Sequence, residues 1–173
     1  MKTLDNLNPL RGLRVYLASP YSSDVPGLQE WRAQRTARAM ITLLSNGIFA
    51  YAPVPHGHYA ERVSGLSAPV IHYSHWLAHG LMMLRGFEVL AVLKLPEWER
   101  SMGVVQERKL ADELSLPVFG LPPDLLFAGT PAQAPFDPRG SLAAEARVAE
   151  RRKAEAGAQM ERASHFPPFM RDK

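Results

Sequence analysis

The sequence predicts an α/β fold: a parallel sheet of four or five strands with helices on both faces, followed by a C-terminal helical arm. Three observations predict it. Short β-rich apolar runs alternate with segments of helical periodicity along residues 13–121. One run, Glu88–Leu95 (EVLAVLKL), is almost continuously apolar, as suits a strand covered on both faces. The connections between runs are long enough to cross over between parallel strands, which gives a Rossmann-like or flavodoxin-like sheet.

Leu13–Ala18 (LRVYLA) is the first predicted strand, and the turn-forming stretch Ser19-Pro20-Tyr21-Ser22-Ser23-Asp24 ends it. Leu28, Trp31, Arg35, Ala39 and Leu43 recur at three- and four-residue steps, predicting a helix over 28–44 that Asn46-Gly47 terminates. Ile48–Ala52 is a second strand, stopped by Pro53 and Pro55. Residues 53–68 read as a loop, with Pro53, Pro55 and Gly57 around His56 and His58. Pro69 suits the first position of a helix reaching about Arg85, because an N–H there has no partner to lose.

The Glu88–Leu95 run is the third strand. A loop over Pro96–Met102 leads to a helix ending near Leu114, and Leu116–Leu121 is the fourth strand. A fifth strand is expected, if anywhere, in the Pro-rich section after 121. Residues 1–121 thus form the α/β domain. Residues 122–140 carry five prolines and read as a connecting arm. Residues 141–173 read as a C-terminal helix and tail whose few large apolar anchors are Leu142, Val148 and Met160.

Composition narrows the possible functions. The chain of 173 residues has 46% hydrophobic and 21% charged residues, the balance of a globular protein with a real core. It contains no Cys, which removes disulfides, thiolate nucleophiles and Cys-ligated metal centres. No apolar stretch approaches the ~20 residues of a membrane span. The opening MKTLDNLNPLRGLR lacks the apolar core of a secretory signal, so a cytoplasmic location is expected. The net charge of +3 resides in the tail: eight Lys/Arg and five Asp/Glu fall in 139–173, leaving twelve of each sign before it. No basic stripe is interleaved with aromatics, so the tail reads as a solvated helix face and no nucleic-acid partner is expected.

In an open parallel sheet, ligands bind beyond the carboxyl ends of the strands. Ser19–Asp24, His56–Tyr59 and Pro96–Gly103 fall there. The first loop has neither a G-x-G-x-x-G fingerprint nor a P-loop Gly-Lys-Ser/Thr. In the third, Ser101 and Gly103 sit where a helix begins, so free backbone N–H groups and a hydroxyl can receive an anion. Glu107 follows in about the first turn, where the helix dipole favours the ionised carboxylate. Such a carboxylate is either a simple dipole partner or a nucleophile towards a sugar carbon. Trp98 and Tyr21 flank the crevice and can stack on a base, with Trp98 as a loop anchor over the core the alternative. Pro20 fixes the turn.

Three segments, VYLASPYS (15–22), PVPHGHYA (53–60) and WERSMGVVQERKLA (98–111), together resemble the nucleoside 2-deoxyribosyltransferase superfamily over roughly residues 13–120. Within it they are similar to an uncharacterised deoxyribosyltransferase-like branch and to the 2'-deoxynucleoside 5'-monophosphate N-glycosidases. The resemblance implies that Glu107 attacks the anomeric carbon of a deoxyribose while the nucleobase leaves. The covalent glycosyl-enzyme then passes to water or to a second base, through an oxocarbenium-like transition state. It implies that Tyr16 hydrogen-bonds and orients Glu107. A serine at position 101, where transferases acting on free nucleosides carry an aspartate, implies a 5'-phosphorylated substrate. Ser19, Ser22 and Arg32 are then candidates for further sugar or phosphate contacts, with a solvated surface position the preferred reading of Arg32. The resemblance also implies a homodimer or larger homo-oligomer, and no cofactor.

One departure stands out. The family's aspartate on the helix before the third strand is replaced here by His79-Gly80-Leu81-Met82. Either His79 takes over as proton donor, or the chain binds nucleotide without turnover. Five of the six histidines fall in 56–79, and His72, His75 and His79 share one helix face. No metal-binding spacing such as H-E-x-x-H appears, so packing against Trp76 or contact with a base is the preferred reading. His56 and His58 count as pocket residues. A nucleotide-binding sensor and, more weakly, a His-based metal-dependent hydrolase remain as alternatives to the glycosidase.

Overall fold

The computed structural model describes residues 1–64 and 71–127. In chain order these form β1 (Lys2–Thr3), β2 (Arg14–Ala18), α1 (Leu28–Ser45), β3 (Phe49–Tyr51) and α2 (Pro53–Val63). They continue with α3 (Tyr73–Leu84), β4 (Val89–Leu93), α4 (Met102–Glu113), β5 (Val118–Leu121) and α5 (Pro123–Phe127). The strands make one parallel sheet in the order β1-β5-β4-β2-β3. The α/β fold with a five-stranded parallel sheet is therefore as expected. The fifth strand of the described sheet is the N-terminal Lys2–Thr3, paired with Phe119 and Gly120 at the far edge, and most of the Pro-rich section after 121 lies outside the described residues. Two residues carry too little periodicity to be recognised without their partner strand.

The two-residue alternation of the strands sorts the core into two layers. Val15, Leu17, Ala91 and Leu93 face one side and are covered by Ala39 and Leu43 of α1 and Leu126 of α5. Tyr16, Ala18, Leu90 and Val92 face the other and are covered by Leu84 of α3 and by Val104, Leu110 and Ala111 of α4. All five residues of β4 are buried, as its unbroken apolar run requires.

Helix α1 ends as expected. Asn46 caps it, and Gly47, at φ +75°, turns the chain in a backbone conformation that costs a side chain dearly. Its buried residues are Arg32, Ala33, Thr36, Ala39 and Leu43: Ala39 and Leu43 are as predicted, whereas in the first turns the buried face is rotated away from Leu28, Trp31 and Arg35.

The stretch expected to be a loop from 53 is mostly helix α2. Pro53 occupies its first position and Pro55 its first turn, where no intrahelical N–H bond is lost. Prolines that stop β3 thus also start α2. Pro69 lies outside the described residues; the described part of the next helix starts at Tyr73, with His72 as its cap accepting from the Ser74 N–H. The predicted arm begins with a short helix, α5, and the rest of it and the 141–173 helix lie outside the described residues. No described helix is long and apolar enough to cross a membrane.

Candidate functional site

From β2 the chain moves by α1 to the outer strand β3, then returns across β2 to β4. The strand order reverses between β2 and β4, so the connections leaving their carboxyl ends splay apart and open a crevice. A cleft of about 440 Å³ occupies that place. The loop after β2 lines it with Ser19, Pro20, Tyr21 and Ser22; α2 and α3 contribute His58 and His79; the start of α4 contributes Ser101, Gly103 and Glu107. Nine of the residues singled out in the sequence thus converge on one cavity.

Glu107 is the sixth residue of α4 and is only 7% exposed. The Tyr16 hydroxyl, fully buried beneath it on β2, donates to its Oε1 at 2.8 Å. Burial pushes the Glu107 carboxyl up to about 7, and the hydrogen bond from Tyr16 opposes that rise. The expected dipole stabilisation of an ionised carboxylate is overturned: Glu107 lies beyond the first turn, where the dipole has faded, and desolvation dominates. Burial, then the charge of Glu107, keeps the Tyr16 phenol firmly protonated.

Tyr16 is held by its neighbours. Its ring meets Phe87 edge-on at 5.7 Å and Tyr51 at a tilt at 5.8 Å. Gly80 of α3 closes over its hydroxyl, and a Cβ built there would stand 2.8 Å from that oxygen. The glycine is therefore a requirement of the Tyr16–Glu107 pair: only a residue without a side chain lets α3 approach so closely.

The raised pKa of Glu107 gives a prediction. The folded protein holds this proton more tightly than the unfolded chain, in which the carboxyl titrates near 4.5. The associated stabilisation is present below that value and is lost as pH rises through about 7. In Glu107→Gln this dependence disappears. Denaturant unfolding at about pH 5 and about pH 8 is expected to show the variant gaining on wild type by about 2 to 3 kcal/mol as pH rises.

Ser101 occupies the N-cap position of α4, yet its side chain makes no capping bond. Ser101, Met102 and Gly103 line the cleft, so the first turn of α4, whose amides have no intrahelical acceptor, borders it. Ser19 is buried, and its Oγ accepts from Thr36 Oγ1 at 2.8 Å.

Two predicted pocket residues stand elsewhere. Trp98 packs on the α3/α4 side of the core, with the Lys94 ammonium and the Arg108 guanidinium 5.6 and 6.0 Å from its ring. His56 is exposed on the other side of α2, its ring against those of Tyr51, Trp76 and His79. Both lie off the cleft lining because helix α2 and the turn at Trp98–Arg100 aim them away from it. Among the described residues no group of three His, Cys, Asp or Glu is arranged to hold a metal ion, and His72 is engaged with Ser74.

Arg32 is the largest correction within the site: expected on the solvated surface, it is 2% exposed. Its Nη1 donates to the carbonyls of Ser22 (2.8 Å) and Tyr21 (3.4 Å), and its Nη2 to Pro96 O (3.2 Å) and Glu97 Oε2 (2.6 Å). One guanidinium thus ties the loop after β2 to the loop after β4. Its four-residue spacing to Thr36 was the available signal, but a cation on an apolar stripe reads as its edge. Glu61 and Trp76, joined by an indole N–H bond across the cleft wall, also escaped sequence reasoning.

A parallel α/β domain with a buried Tyr–Glu pair under a switch-point cleft is thereby defined. Residues 13–121 match the family described as Domain of unknown function (DUF1937), and the chain belongs to that family. No curated protein matches the chain.

Proposed function

We propose that the protein cleaves the N-glycosidic bond of a 2'-deoxynucleoside 5'-monophosphate or nucleoside, by hydrolysis or base exchange. The observation that carries this reading is the 2.8 Å bond from buried Tyr16 to Glu107 on the floor of an open cleft. It is the pairing expected of an oriented carboxylate nucleophile, and the resemblance to the nucleoside 2-deoxyribosyltransferase superfamily supports it.

In this reading the ionised Glu107 attacks C1' and the C1'–N bond breaks with its electron pair on the base. Tyr16 fixes the attacking oxygen and favours its charged form. Exclusion of water from the carboxylate makes it a stronger nucleophile than an exposed one once substrate and base have replaced solvent. Ser101 and the free amides of α4 suit the 5'-phosphate. Water or a second base then takes the glycosyl group from Glu107. The same resemblance carries the proposal of a homodimer or larger assembly, for which exposed Met82 and Met102 on the adjoining α3 and α4 offer apolar surface.

One observation favours a second reading, a nucleotide-binding module without turnover: α3 presents His79 and Gly80 where the family's acid is expected. Incubation with each deoxynucleoside monophosphate, followed by chromatography for free base, separates the two. Base release supports the glycosidase. Saturable binding without release supports the binding module.

A further inference from the structure

A part-buried polar chain outside the Tyr16–Glu107 pair also ends in the cleft. Glu30 of α1 meets His58 Nε2 through Oε2 at 2.9 Å, and His58 Nδ1 meets the Tyr21 hydroxyl at 2.9 Å. Arg62 of α2 pairs with the same Glu30 oxygen and fixes the carboxylate. His58 is 8% exposed, and its ring also lies edge-on to that of Tyr21 at 5.7 Å. A carboxylate orienting one nitrogen of an imidazole whose other nitrogen holds a hydroxyl is a proton-relay arrangement.

Its placement matters as much as its composition. Glu107 reaches the cleft from α4, in the layer covering Tyr16 and Ala18. Glu30 belongs to α1, which covers the opposite face of the sheet, and His58 to α2, which packs on α1. A nucleophile displaces a leaving group from the opposite side of the carbon it attacks, so a proton donor for the departing group belongs across the cleft from the carboxylate. His79, on α3, stands on the Glu107 side.

We propose that Tyr21, backed by His58 and Glu30, protonates the departing nucleobase from the side of the cleft opposite Glu107. The inference rests on the glycosidase reading and supplies the acid that His79-Gly80 lacks. As the C1'–N bond breaks and the C1'–O bond to Glu107 forms, the base nitrogen takes the bond's electron pair and the Tyr21 Oη proton. The relay requires a proton on each nitrogen of His58: Nδ1–H refills Tyr21 and Nε2–H stays on Glu30. When water cleaves the glycosyl ester, its second proton returns through Tyr21 to His58, restoring the starting state. Burial pushes the Tyr21 phenol up, so it is present as a donor before the reaction.

The test compares two leaving groups. One substrate is a deoxynucleoside 5'-monophosphate, whose base must be protonated. The other is 2-deoxyribose 5-phosphate bearing 4-nitrophenol at C1, which leaves as a stable anion. Tyr21→Phe is expected to lose about 100-fold in kcat on the nucleotide and less than about threefold on the nitrophenyl substrate. Glu30→Gln is expected to show the same selectivity more weakly, with unchanged melting temperature showing that each variant folds. Equal losses on both substrates, or none on either, with an active wild type overturn the relay alone. A wild type inactive on both overturns the glycosidase reading and the relay with it.

Discussion

Glu107→Gln is expected to reduce release of free base by roughly 10⁴-fold or more, the scale on which enzymes lose rate when a covalent nucleophile is removed. The amide is close in size to the carboxyl and its oxygen still accepts the Tyr16 O–H bond, so the cleft keeps its shape. What it lacks is the electron pair that forms the glycosyl ester. Nucleotide binding is expected to persist, because the hydroxyl and amides at the start of α4 are untouched. Base release by wild type and variant under identical conditions, with binding measured by calorimetry, checks both halves. A variant that releases base at the wild-type rate places the chemistry elsewhere.

Tyr16→Phe has the next largest expected effect, and its signature is a displacement along the pH axis. In wild type the Glu107 carboxyl sits at about 7, with burial raising it and the Tyr16 bond holding it down. A hydrogen bond to a charged group contributes about 1.5–3 kcal/mol, so its loss raises that pKa by about one to two units. Base release in wild type is expected to climb as pH passes through about 7. In Tyr16→Phe the climb moves to higher pH, and the rate near neutrality falls by about 5- to 50-fold. An unshifted profile with a uniform drop would mean that Tyr16 merely fills space. Phe retains the ring contacts with Phe87 and Tyr51, so the variant isolates the hydroxyl.

The two layers and the cleft were legible because their signals are local. β4 announces itself by an unbroken apolar run, and α1 by its periodicity and its Asn46-Gly47 stop. Ser19–Ser22, His58, Ser101, Gly103 and Glu107 were legible as cleft residues because strand ends in a parallel sheet dictate where loops converge. Contributions that depend on partners distant in sequence were hidden. β1 is a strand only because β5 offers it an edge. Arg32 looks like a surface cation until carbonyls from residues 21, 22 and 96 are seen to surround it. Helix α2 hid behind Pro53 and Pro55, which punctuate a strand and pre-organise a helix by the same fixed φ. Glu107 is legible in sequence but its raised pKa is not, since burial leaves no trace in local spacing.

The central claim is that the Glu107 carboxylate becomes covalently attached to the sugar. Mass spectrometry of protein quenched during turnover of a deoxynucleoside monophosphate, followed by peptide mapping, addresses it directly. The account predicts a 2-deoxyribose 5-phosphate adduct on the peptide containing Glu107, absent from Glu107→Gln. Rapid base release with that peptide unmodified, or with the adduct on another side chain, would contradict it.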